Sequence, residues 1–227
     1  MIFFSRLFVF LFYFVLLCGA SFSQEVDDDE DDEIYSRIKP MHSLTLEIGL
    51  PNPIKNKLFN GWMRGIINFS PYYHYTFENH ISLALGANYS YFWINPVASK
   101  NNMGGGIHAL GSFFKIGHED FYTDRFGTDI GVKFGGSKQF FDTDYNRAKG
   151  LLFKRDVFFI EPTLAFVLTA DELTSFRWVF GYMFQNYVFN PTDLGESNQP
   201  AYHSKENSVP TNFFTFGFGF SYYFKQR

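Results

Sequence analysis

Apolar and polar residues alternate one for one along most of this chain, the period of a β-strand whose two faces meet different surroundings. Residues 43–50 set Leu44, Leu46, Ile48 and Leu50 against Ser43, Thr45, Glu47 and Gly49. Residues 62–77 set Ile67, Phe69, Tyr73, Tyr75 and Phe77 against Asn68, Ser70, Tyr72, His74 and Thr76. In residues 81–93 the odd positions run Ile81, Leu83, Leu85, Ala87, Tyr89, Tyr91, Trp93, with Ser82, Ala84, Gly86, Asn88, Ser90 and Phe92 between them. A fourth segment, about 105–116, is apolar on both faces. The fifth, 125–135, opposes Phe126, Ile130, Val132 and Phe134 to Gly127, Asp129, Gly131, Lys133 and Gly135. The sixth, 157–169, opposes Phe158, Ile160, Leu164, Phe166 and Leu168 to Glu161, Thr163, Ala165 and Thr169. The seventh, 175–189, opposes Phe176, Trp178, Phe180, Tyr182 and Phe184 to Arg177, Gly181 and Gln185. The last runs Phe214, Phe216, Phe218, Phe220, Tyr222, Phe224 against Thr215, Gly217, Gly219 and Ser221.

The connections alternate as well. Those at about 51–61, 94–104, 136–156 and 190–210 are long, and those at 78–80, 117–124 and 170–174 are short. Eight strands with long loops at one end and tight turns at the other predict an all-β fold: an eight-stranded antiparallel up-and-down transmembrane β-barrel. A soluble sandwich or lipocalin-like barrel also alternates, but its polar face would favour Lys, Glu, Thr and Gln. Here that face is rich in Gly, Ala, Ser and Asn, which suits the narrow interior of an eight-stranded barrel. Pro71 and Pro162 fall in mid-strand, where each removes a ladder donor, and a bulge or kink is expected at both.

Composition sharpens this reading. Aromatic residues make up 22% of the chain, including 32 Phe and 14 Tyr, yet mean hydropathy is only -0.13, so the rings are interleaved with polar residues. Tyr89, Tyr91 and Trp93 fall at one end of the strands, and Tyr73, Tyr75, Phe77 and Trp178 toward the other, as interfacial girdles would.

The first 23 residues read as a signal peptide. Arg6 is their only charge, an apolar run spans Leu7 to Leu17, and the small-residue stretch Ser21-Phe22-Ser23 offers a cut before Gln24. The run is short for a spanning helix, which needs roughly 20 apolar residues. Leu17 stands where a lipidation signal at Cys18 wants a small residue. Cys18 is the only cysteine, so the processed chain has no thiol for a disulfide, a thiolate zinc site or a nucleophile. Residues 24–41 form an acidic leader, expected to be disordered and periplasmic, with eight carboxylates in the nine positions from Glu25 to Glu33. Leaving out only those eight carboxylates, the rest of the processed chain has 15 acidic residues against 18 Lys and Arg once Arg6 is cleaved, about +3. A solvated leader is the simpler account of that block; calcium or a basic periplasmic partner is the other.

With signal, alternation, loop rhythm and the closing run Gly217-Phe218-Gly219-Phe220-Ser221-Tyr222-Tyr223-Phe224 together, residues 42–224 resemble the small OmpA/OmpX-like barrels, and among them the PorT-type outer-membrane β-barrel family. The resemblance implies residence in the outer membrane, with both termini in the periplasm and the long loops outside. It also implies that Phe220, Tyr222 and Phe224 serve as the assembly signal read by the barrel-insertion machinery. The tail Lys225-Gln226-Arg227 departs from the usual form, in which the aromatic is last. The PorT protein is implicated in secretion, a role its group does not share uniformly.

Three sets of residues are candidates for chemistry. The inward polar set is Glu47, Asn68, His74, Asn88, Asp129, Lys133, Glu161, Arg177 and Gln185, either lining a pore or filling the lumen as paired charges; the narrow bore favours pairing. Lys55, Lys57 and Arg64 with Lys138, Arg147, Lys149, Lys154 and Arg155 bias the outer rim toward positive charge, and lipopolysaccharide phosphates are the natural counter-charge. His80-Ile81-Ser82 resembles the His-x-Ser of lipid A deacylases, but its strand carries no carboxylate to orient the histidine, and the next along the chain is Glu119. A turn histidine is the expectation. Gly104-Gly105-Gly106 leads into a strand and reads as loop, and no nucleic-acid footprint, metal site or cofactor motif is visible. The sequence therefore predicts a non-enzymatic envelope component, working by adhesion, envelope integrity or as a subunit of a larger outer-membrane complex. A channel for small or hydrophobic solutes, OmpW-like, is the second reading, and a lipid A-modifying enzyme the third.

Overall fold

A strand with one apolar and one polar face can satisfy every backbone group, and segregate both faces, by closing its ladder into a cylinder. The computed structural model describes residues 41–98, 103–123, 125–150, 153–171, 173–196 and 207–224. The signal peptide with Cys18, the acidic segment 25–33 and the tail 225–227 lie outside the described residues. Eight strands are present: β1 (Met41–Pro53), β2 (Met63–Thr76), β3 (Ile81–Ile94), β4 (Gly105–Phe121), β5 (Phe126–Thr143), β6 (Phe153–Thr169), β7 (Thr174–Gln185) and β8 (Asn212–Tyr223). Each pairs antiparallel with the next, and β1 pairs with β8 from Ser43↔Tyr223 to Pro53↔Phe213, so the barrel is closed.

The apolar face points out. Phe158 is 70% and Leu85 67% exposed, and Phe214, Phe216, Phe218, Phe220 and Tyr222 form one outward stripe on β8. On β6 the outward apolar run goes from Leu168 to Phe158 and then meets Asp156 and Lys154. Ten residue steps at strand rise and barrel tilt amount to a belt about 25 Å tall, the apolar thickness such barrels present.

Several strands run past the predicted ends. β5 and β6 continue beyond the belt, so the third long connection is 144–152 rather than 136–156. β4 continues to Phe121, into the predicted turn 117–124, β7 stops at Gln185 rather than 189, and Met41 begins β1 rather than ending the leader. The cause is common to these extensions: apolar alternation ends where the belt ends, but backbone hydrogen bonding does not. The mid-strand prolines produce no bulge. Pro71 pairs with Leu46 and Pro162 with Val132, while the ladders on their other sides skip two pairs and resume in the same register. The one register shift in the β2–β3 ladder lies between Gly65 and Ile67.

The long connections carry short helices: α1 (Lys57–Trp62), α2 (Asp144–Ala148) and a 3-10 turn at Pro191–Leu194. Asn56, Thr143 and Asn190 cap them, each side chain accepting from a backbone N–H two or three residues on.

Candidate functional site

Because alternate residues of all eight strands point inward, the lumen is where chemistry-bearing side chains converge. Its turn-side half holds a single hydrogen-bonded network. Tyr72 donates its hydroxyl to Glu47 Oε1 at 2.6 Å, and Lys133 Nζ donates to Glu47 Oε2 at 2.7 Å. Lys133 also lies 3.9 Å from Glu161 Oε2. Lys115 Nζ donates to Asp129 Oδ2 at 2.6 Å, and Arg177 Nη1 reaches the same oxygen at 2.8 Å and the Tyr72 hydroxyl at 3.0 Å. Arg177 Nη2 donates to Glu119, whose other oxygen accepts from Thr76 at 2.6 Å and lies 3.9 Å from His74 Nδ1. Three cations and four carboxyl groups thus interlock, all of them buried. Next to them Asn68 donates to Ser90, Ser70 to Asn68, and Asn88 to Ser70, so the amides are tied into the wall as well.

Toward the loop end the filling turns apolar. Lys133 lies 5.0 Å from the Phe113 ring, and beyond it Ile107, Phe141, Phe159, Met183 and Phe213 close the bore. α1 lays Phe59 over this layer, edge-on to Phe92, Phe189 and Phe213 at centroid distances of 5.2, 5.1 and 5.3 Å. An aromatic cork therefore sits above a charged plug. Glycines give both the space they need: a Cβ on Gly86 would stand 2.4 Å from Tyr72 Cβ and 2.8 Å from the Phe113 ring.

All nine inward residues read from the sequence are buried in the lumen. Asn68 and Asn88 join the amide cluster rather than the charges, and Gln185 lies near the loop end. Lys115 and Glu119 are not in that set: Lys115 falls in a segment whose two faces are both apolar, and Glu119 lies beyond its predicted end at 116. A signal for them exists. Lys115-Ile116-Gly117-His118-Glu119 mirrors Asp129-Ile130-Gly131-Val132-Lys133 across the β4–β5 turn, and the register pairs Lys115 with Lys133, Gly117 with Gly131 and Glu119 with Asp129. Like charges directly opposite repel. Each is instead neutralised diagonally or across the bore.

The rim cations largely have partners within the chain. Lys138 lies 3.5 Å from Asp156, Arg147 is 2.8 Å from Asp142 and 3.5 Å from Asp144, and Arg155 is 3.3 Å from Asp193. Lys149 donates to the Tyr145 hydroxyl, and Lys154 lies 5.5 Å from the Phe140 ring. Lys138, Lys154 and Arg155 stand on β5 and β6, not in a loop as expected. Lys55 and Lys57 are exposed beside and on α1. Near Arg155 a polar cleft of about 500 Å³ opens, lined also by Asn186, Tyr187, Asp193 and Asn207. In it Tyr187 donates to Asp193 Oδ2 at 2.8 Å, and burial together with that carboxylate holds the Tyr187 hydroxyl well above the usual tyrosine range.

At the turn end, Phe224 extends the closing ladder by donating its N–H to the His42 carbonyl at 2.8 Å, and its ring is exposed beside Tyr222. His80 sits in the β2–β3 turn with its ring toward Asp120, whereas Ser82 is fully buried on the lumen face. A carboxylate is thus within reach of His80, contrary to expectation, because β4 supplies it. The serine points to the other side of the wall, so the three do not form a nucleophile, base and orienting acid.

No family model matches the chain, and no curated protein matches it in sequence. Solved structures do match in fold. OprG from Pseudomonas aeruginosa, an outer membrane protein, is similar at 15% identity and a TM-score of 0.53, over 83% of this chain and 97% of that one. Neisserial surface protein A matches at 9% identity and 0.51, over 81% and 97%. The attachment invasion locus protein Ail of Yersinia pestis, solved with the heparin analogue sucrose octasulfate, matches at 11% and 0.50, over 82% and 100%. The chain has the closed eight-stranded barrel fold of small outer-membrane proteins.

Proposed function

We propose that this protein is an integral barrel of the bacterial outer membrane that conducts no solute and acts through the surface its long loops present. The doubly filled lumen carries this reading. A charged plug at Arg177 and an aromatic cork at Phe59 both occupy the bore, which supports a barrel that does not conduct over a channel. The outward apolar belt fits the bilayer, the termini face the periplasm, and the paired rim charges with the cleft beside Arg155 form the outer face. Lys55, Lys57 and the ion pairs of Lys138, Arg147 and Arg155 meet lipopolysaccharide phosphates there. Residues 1–23 direct export, 24–41 form the acidic leader, and the barrel-insertion machinery reads Phe220, Tyr222 and Phe224. The closing aromatic and glycine strand supports a place among the PorT-type barrels, and a role in adhesion or in a larger outer-membrane complex.

Two measurements test this. Fractionated envelopes should hold the protein in the outer membrane with heat-modifiable gel migration; recovery from the soluble periplasm overturns the location. Planar-bilayer recording of the pure barrel should show no stable conductance, and reproducible open-channel steps would favour the solute channel instead.

A further inference from the structure

Two histidines and an aspartate meet on the outer wall at the turn end, and neither the lumen network nor the rim involves them. His118 and Asp120 are two apart on β4, so the pleat puts both on its outward face, flanking the inward Glu119. His80 arrives from the β2–β3 turn beside Ile81, the register partner of His118. It holds a left-handed backbone conformation, φ +64°, uncommon for any residue but glycine. Two hydrogen bonds fix it there: His80 N–H to the Phe77 carbonyl at 3.0 Å, and Glu119 N–H to the His80 carbonyl at 2.9 Å. The His80 and His118 rings stack at 5.7 Å. His80 Nδ1 is shielded and lies 3.0 Å from Asp120 Oδ1 without an aligned hydrogen bond. One ligating atom from each residue lies within 4.8 Å of the other two.

The geometry points to a site for a borderline divalent transition ion at His80, His118 and Asp120, with Zn²⁺ as the test case. Two imidazoles and a carboxylate are the donors such ions prefer, whereas Ca²⁺ and Mg²⁺ want a shell of oxygens. Ligands about 2.1 Å from a tetrahedral ion stand about 3.4 Å apart, so small rotations of these side chains close the site. His80 is 37% and Asp120 20% exposed, which gives an ion access and leaves its fourth position to water. A second triad, His74, Glu119 and Asp129, is equally close but lies in the lumen. Its carboxylates already accept from Arg177, Lys115 and Thr76, so an ion there would have to displace two cations.

The test is calorimetric titration of the full chain, folded in detergent micelles, with Zn²⁺ alone. One saturable site is expected, with Ca²⁺ unable to compete. His118→Gln, Asp120→Asn and His80→Asn, the last keeping a residue that tolerates left-handed backbone, should each weaken it roughly tenfold or more. Any binding at the acidic segment 25–33 would survive these changes, so unchanged affinity across the three overturns the site. A readout on the unsubstituted protein stands apart from variant folding. Zn²⁺ should protect His80 and His118, but not His42 or His108, from diethylpyrocarbonate. Equal modification of all four with and without Zn²⁺ also overturns it.

Discussion

Replacing Arg177 with Met asks whether the lumen charges stand or fall as one unit. Met keeps an apolar stem of similar reach and loses every donor. Arg177 is 1% exposed and donates to the Tyr72 hydroxyl at 3.0 Å, to Asp129 at 2.8 Å and to Glu119. After the change Asp129 still holds Lys115 at 2.6 Å, but Glu119 keeps only the Thr76 hydroxyl at 2.6 Å, with His74 at 3.9 Å. A buried charge stripped of its cation costs about 3–5 kcal/mol, and that is the loss expected for Arg177→Met. Glu119→Gln alone should cost about 1–3 kcal/mol, since Arg177 keeps Asp129 and Tyr72. The double variant removes the orphaned charge, so it should be more stable than Arg177→Met, with a coupling of about 1–3 kcal/mol. Urea unfolding in micelles, followed by tryptophan fluorescence, measures all three. Arg177→Met within about 1 kcal/mol of the parent, or a double variant losing the sum of the singles, would refute the reasoning and show the charges solvated independently.

Gly86→Ala should cost about 1–3 kcal/mol or prevent folding, because its methyl would meet Tyr72 Cβ and the Pro71 carbonyl at 2.4 and 2.6 Å, while Gly61→Ala, with nothing within 4 Å, should stay within about 0.5 kcal/mol on the same unfolding curve. Phe224→Asp and Phe224→Leu separate two effects: a charge near the membrane edge costs about 1 kcal/mol at most, so a large fall in envelope levels for both variants reports recognition of the ring during assembly, and parental levels would show that the ring is not read. Replacing His80 or Ser82 with Ala should leave the lipid A mass spectrum unchanged; loss of a modified species would revive a hydrolytic role.

The fold was legible because a barrel wall imposes period two on every strand, and eight runs with alternating loop lengths leave few other closures. Strand ends were less legible, since β5 and β6 continue outside the belt, where Lys138, Lys154 and Asp156 take the outward positions and the apolar alternation stops. β4 hid its share of the lumen for a different reason. Ala109 and Phe113 on its inner face and Leu110 and Phe114 on its outer face erase the contrast, and Lys115 and Glu119 follow only after that stretch. Side-chain partners across the bore, such as Lys133 with Glu47, 86 positions apart, depend on curvature that no local pattern encodes. The triad of His80, His118 and Asp120 is equally unreadable in the sequence, because residues 117–124 carry no strand alternation that would place His118 and Asp120 on one face beside His80.

The lumen network draws on β1, β2, β4, β5, β6 and β7, which makes its side chains cross-braces inside a tube rather than a lining. A hollow cylinder of hydrogen-bonded strands yields by ovalising, one seam opening as the opposite wall flattens. Braces running from Glu47 to Lys133 and from Arg177 to Glu119 and Asp129 oppose that mode, since any flattening must first draw apart buried charges. The seam itself, β1 against β8, runs between the loop end and the turn end, so a pull between those ends loads its pairs largely in shear instead of unzipping them in turn. In mechanical terms the barrel is a solid rivet rather than a sleeve, stiff in cross-section and strong in shear.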